Sequence, residues 1–169
     1  MTNAKKQPSV RDRLKARARP TSRFTICDDP KVKENLDRAR YALALAESQA
    51  DTTGEDGAKA VEAAQKKADE AQAAYDAEAI VLTFQALDRP AFEALKRAHP
   101  PTEAEAEEGA QFNAETLAPE LIAAASCDDI TVDEAREYLD TWSTGEAIAL
   151  YTAAYSIQSE TSRVDVGKG

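Results

Sequence analysis

The stretch KVKENLDRARYALALAESQA, residues 31–50, decides the architecture of this chain. Its apolar positions Val32, Leu36, Ala39, Leu43, Ala46 and Ala50 recur in alternating steps of four and three, the heptad period of a helix that packs along one seam. Asp29-Pro30 in front of it is a helix start, because proline at the first helical position has no amide proton to leave unsatisfied. Behind it, residues 51–57 (DTTGEDG) place two glycines among turn-formers and predict a break. Val61, Ala64, Ala68, Ala71 and Tyr75 then repeat the three-four spacing. Two helices of similar length joined by a short loop predict an antiparallel hairpin. The second seam is nearly all alanine, which lets helices approach closely but buries little area, so a mobile arm is expected. A pair of core helices and a dimerising coiled coil are the alternatives, and a seam of only three heptads favours the intramolecular hairpin.

On either side of the hairpin the pattern turns β-like. Phe24 and Ile26 alternate with polar neighbours over residues 23–27, a short strand that Asp28-Asp29-Pro30 stops. Residues 80–87 (IVLTFQAL) shift to β-branched and aromatic side chains, as a second strand would; the competing reading continues the second helix to Ala86. Two such strands could pair in antiparallel sense and pin the base of the arm.

Asp88-Arg89-Pro90 then caps a helix over residues 91–98 with Phe92 and Leu95 on one face, and His99-Pro100-Pro101 ends it. Residues 102–109 are Glu/Ala-rich, a solvated loop or helix edge. Helices are predicted over residues 114–126, 131–142 and 144–160. Their starts are Asn113, Thr131 with Glu134 three residues on as a capping box, and Ser143 or Thr144 with Glu146 nearby. The expected fold class is mainly α: a long antiparallel helical hairpin inserted between two short strands, followed by a compact C-terminal helical bundle. The expected division is a basic disordered tail over residues 1–22, at most transiently helical over residues 10–18, then the strand–hairpin–strand of 23–87, the bundle of 88–160 and a flexible tail over 161–169.

Charge is unevenly spread. Residues 1–23 carry eight bases against Asp12 alone, a net +7, which leaves −17 on the remainder of a chain whose total is −10. An acidic body repels nucleic acid and anionic membrane and suits a solubilising surface, whereas the basic arm could reach RNA or an acidic protein face. A solvated tail is the simpler reading of the arm. Cys27 and Cys127 stand far apart with no CxxC spacing, which makes a reducing cytosol the default. No apolar run approaches the roughly 20 residues that span a bilayer, and the N-terminus lacks the apolar core of a signal peptide.

Chemistry is hard to place on this sequence. His99 is the only histidine, so a Ser-His-Asp arrangement would have to use a residue set directly before two prolines; a local cap or packing role suits it better. Asp128-Asp129 and the Glu103, Glu105, Glu107, Glu108 cluster offer oxygen ligands without the spacing and turn glycine of a calcium loop. Neither G-x-x-x-x-G-K-[ST] nor G-x-G-x-x-G occurs. No catalytic residue, cofactor or metal is therefore expected. What stands out is the last helix, with Ile148, Tyr151 and Tyr155 on one stripe and Leu150, Ala154 and Ile157 on an adjacent one. Either the helix is central to the bundle, or one stripe is left for a partner. Trp142, Ile148, Tyr151 and Tyr155 are the candidate partner-binding residues.

The order of these motifs resembles a known family. The run from Phe84 through Ala86-Leu87 to Arg89-Pro90, then His99-Pro100-Pro101, Phe112-Asn113, Leu117-Ala118-Pro119, and Trp142 followed by Gly145-Glu146 is similar to the tail assembly chaperones of long-tailed, siphovirus-type phages of actinobacteria. The likeness covers about Phe84 to Ile157, and the basic start with a short strand and a charged helical spacer also resemble that family. The resemblance implies a non-enzymatic protein of the host cytoplasm that binds the tape-measure protein and keeps its long helices soluble while tail-tube subunits assemble. Further partners it implies are the tail tube protein and a longer, frameshifted form of the chain itself, with Gly167-Lys168 compatible with a slippery codon pair. A virion tail or head-completion protein is the alternative from another class, and a nucleic-acid-binding basic arm is a third.

Overall fold

The computed structural model describes residues 9–160, and its element order follows from the local signals above. α1 (Val10–Lys15) and β1 (Thr21–Ile26) lead into the long helices α2 (Pro30–Thr53) and α3 (Glu55–Glu78). β2 (Ile80–Gln85), α4 (Arg89–Ala98), α5 (Glu103–Glu107), α6 (Ala114–Ala125), α7 (Val132–Thr141) and α8 (Thr144–Ser156) follow, and a 3-10 turn at Ile157–Ser159 ends the described chain. The protein is mainly α, 70% helical, with two antiparallel strands. By internal contacts it divides into two compact units, Thr25–Val81 and the combination of Met1–Phe24 with Leu82–Gly169.

In the first unit, Asp29 Oδ1 accepts from the Lys31 and Val32 amides at 2.8 and 3.4 Å, and Pro30 occupies the first turn. Burial along the hairpin follows the heptad. Leu36 and Ala68 are buried, the other seam positions from Val32 to Tyr75 are half-buried, and most remaining positions are exposed. Arg40 Nη2 donates to Gln72 Oε1 at 2.7 Å across the pair. The expected break over residues 51–57 contracts to one non-helical residue, Gly54, at φ +60° and ψ −132°, a conformation open to glycine and strained for an L side chain. The flanking residues stay helical. Glu55 and Asp56 fall in the first turn of α3, where their charge complements the helix dipole. Gly57, one turn into α3, is buried.

β1 and β2 form a two-stranded antiparallel sheet. β1 alternates exposed and half-buried residues throughout and begins at Thr21, two residues earlier than its hydrophobic pattern indicates. The pairing reaches Pro20, whose carbonyl accepts from the Ala86 amide at 2.9 Å. Residues 80–85 are strand, not a continuation of the second helix. The far edge of β2 is met by the loop after α6: Phe84 bridges to Ser126, the Cys127 amide donates to Thr83 O at 2.8 Å, and Asp128 Oδ2 accepts from the Thr83 amide at 2.7 Å.

The second unit is built around Phe84, Leu117, Leu121, Ile122, Leu150 and Ile157, all fully buried. Each helix of the bundle starts on a side-chain cap: Asp88 for α4, Thr102 for α5, Asn113 for α6, Thr131 for α7 and Ser143 for α8. The acidic stretch 102–109 is a short helix rather than a loop, closed by a capping box between Thr102 and Glu105. Asn113 Nδ2 ties Glu105 Oε2 at 3.0 Å, and the Asn113 amide donates to His99 O at 2.9 Å. Before the sheet, α1 forms where no more than transient helix is expected, with Ser9 as its cap. Lys5, Lys6 and Gly167-Lys168 lie outside the described residues.

Candidate partner-binding surface

Helix α8 sorts its two apolar stripes by depth. Leu150, Ala154 and Ile157 are fully buried, which places one stripe in the core. On the adjacent stripe, Ile148 is 60% exposed while Tyr151 and Tyr155 are half-buried. The Tyr151 and Tyr155 rings lie 5.6 Å apart, and Tyr155 continues onto Phe112 at 5.8 Å and edge-on to Phe92 at 6.1 Å. Lys96 Nζ stands 4.9 Å from the centre of the Phe92 ring and pairs with Glu93 at 2.9 Å. Burial, helped by the neighbouring Tyr155, pushes the Tyr151 phenol up to about 12.

Trp142 belongs to a different group. It caps the C-terminus of α7, stacks on Tyr138 at 5.0 Å and lies parallel to Phe24 of β1 at 6.4 Å. The structure therefore brings Ile148, Tyr151 and Tyr155 onto one stripe and holds Trp142 in a separate stack. Three of the four candidates pack against the core, and Ile148 alone is largely open to solvent.

A second concave feature was not legible in the sequence. A cleft of about 580 Å³ lies between the end of α4, α6 and α7. Its apolar lining is Ala118, Pro119 and Leu139, and its acids are Glu115, Glu120 and Asp140. His99 sits at one side with Nδ1 3.1 Å from Thr116 Oγ1. Its Nε2 approaches Glu120 Oε2 at 3.1 Å without the geometry of a hydrogen bond. Arg136, also in the lining, is held by Asp133 at 2.8 Å. These residues are scattered over three helices, and only the rotational phase of α6 and α7 would have put their acids on one side.

Among the described residues no group of three or more His, Cys, Asp and Glu is placed to hold a metal ion. No helix among them is long and apolar enough to cross a membrane. No protein-family model, curated protein or solved structure matches the chain.

Proposed function

We propose that this chain is a non-enzymatic tail assembly chaperone of a long-tailed phage, which binds the tape-measure protein and keeps it soluble in the host cytoplasm while the tail tube forms. The observation that carries this reading is the ordered set of motifs from Phe84 to Ile157, which resembles that family in type and spacing. Three features support it. Holding an apolar client requires surface and no chemistry. A net charge of −10 limits self-precipitation while a client is held. Ile148, 60% exposed beside the Tyr151–Tyr155 pair, offers a helix-face anchor to an amphipathic partner helix.

Co-expression with a phage tape-measure protein tests the proposal. The expected result is a soluble, co-purifying complex, weakened by Ile148→Asp with no change in the chaperone's own helix content. A tape-measure protein that stays insoluble, with none of this chain bound to it, overturns the reading. Mass spectrometry of purified virions separates it from a structural tail or head-completion protein, since a chaperone is absent or scarce in the particle.

A further inference from the structure

The feature that the chaperone reading leaves unused is the basic arm. Helix α1 has Ser9 as its N-cap, with Ser9 Oγ accepting from the Asp12 amide at 3.2 Å and donating to Asp12 Oδ2 at 2.6 Å. The only acid of the helix is thereby drawn to its start. One turn apart on another side stand Val10 and Leu14, 71% and 61% exposed. Arg13 and Arg17 share a shallow surface groove with them, and Arg11 and Lys15 follow on the opposite flank. An arm that only gripped phosphate would need the cations and not the two apolar side chains. All six residues of the helix are exposed, so it does not occupy the cleft of its own chain.

The cleft between α6 and α7 is complementary to that helix in both respects. Glu115, Glu120 and Asp140 give it an acidic rim, and Ala118, Pro119 and Leu139 give it apolar lining. Arg136, in the same lining, is already paired with Asp133. A helix of six residues is about 9 Å long, and the cleft measures about 580 Å³.

We propose that α1 of one copy docks into the α6–α7 cleft of a second copy, with Val10 and Leu14 against the apolar lining and Arg11 and Arg13 toward Glu115 and Asp140. The occupant is a second copy because one sequence carries both surfaces. The first 23 residues hold a net +7 and the rest −17, so arm and body attract between copies, while the body repels a nucleic acid that the arm would otherwise recruit. The contact joins unlike surfaces and is independent of whether the client is a tape-measure protein.

Sedimentation velocity on the full chain over a concentration series tests it. Association is expected to rise with concentration and to weaken by roughly tenfold between about 50 and 500 mM salt, because exposed charge pairs are screened. The double change Arg11→Glu with Arg13→Glu, and separately Glu115→Arg with Asp140→Arg, should each leave monomer. These positions are all exposed, so circular dichroism should show both variants folded. Mixing the two should restore association, since every arm then meets a cleft of opposite sign. A single monomeric species at all concentrations overturns the proposal. So does association that survives either double change, or variants that stay apart when mixed.

Discussion

Glu134 accepts from the Thr131 hydroxyl at 2.7 Å and from its amide at 2.8 Å, while Thr131 Oγ1 accepts from the Glu134 amide at 3.2 Å. The hydroxyl and then the amide hold the Glu134 carboxyl below the ordinary 4.5. Glu105 is lowered in the same way by the amide and then the hydroxyl of Thr102. A depressed carboxyl favours the fold when ionised, so the unfolded chain binds more protons in acid. The contribution of these two boxes is present above 4.5 and is lost as pH falls through their folded values. Thr131→Ala should cost about 1 kcal/mol in urea melts at neutral pH, and its difference from the parent should shrink in acid. An unchanged difference would show that the box does not set the acid limb. Tyr151 has the opposite sign: its value is raised, so its share of stability is lost as pH climbs from 10 toward about 12. Tyr151→Phe should flatten that alkaline loss. Leu121, fully buried, and Ile148, mostly exposed, make a matched pair for calibration. Leu121→Ala should cost about 2–5 kcal/mol and Ile148→Ala less than about 0.5 kcal/mol, read from denaturant midpoints.

At the scale of elements, the hairpin and the bundle differ in what fills them. The α2–α3 seam buries Leu36 and Ala68 with mostly alanine elsewhere, whereas α6 and α8 enclose Leu117, Leu121, Ile122 and Leu150 completely. Amide exchange should therefore be faster across α2 and α3 than across α6 and α8. Equal protection in both would show that alanine packing supplies what area does not. Gly54→Ala should destabilise the hairpin, because φ of +60° strains a side chain there even though nothing crowds the site. The seam was readable because heptad spacing survives in the sequence, and the caps because Ser, Thr, Asp and Asn mark them three residues before the amide that donates to their side chain. The length of the turn was not readable. Residues 51–57 carry turn composition, but helix propagation from both sides and the charge of Glu55 and Asp56 at a helix start outweighed it. Likewise α5 was hidden because a five-residue helix is too short to show a period. For the candidate surface, the stripe of α8 followed from periodicity, but which stripe faces the core depended on how α8 packs against α6 and α7.

For the whole molecule, the chain enters the hairpin from β1 and leaves it into β2, two strands that pair antiparallel. Their adjacent ends can be joined by a two-residue turn. Replacing residues 27–79 with Asn-Gly should leave the rest of the chain cooperatively folded, with the signal of the lost helices missing from circular dichroism. Loss of the cooperative transition would mean that the bundle depends on the excised segment.

The reversal at Gly54 also limits how this protein can change length. About the peptide that joins Thr53 to Gly54, the seam residues of α2 and α3 fall in mirrored order: Ala50 with Gly57, Ala46 with Val61, Leu43 with Ala64, Ala39 with Ala68, Leu36 with Ala71 and Val32 with Tyr75. An insertion in one helix alone shifts every later seam residue out of step with its counterpart. Lineages of this chain should therefore gain or lose arm in matched blocks, about seven residues on each side of the tip.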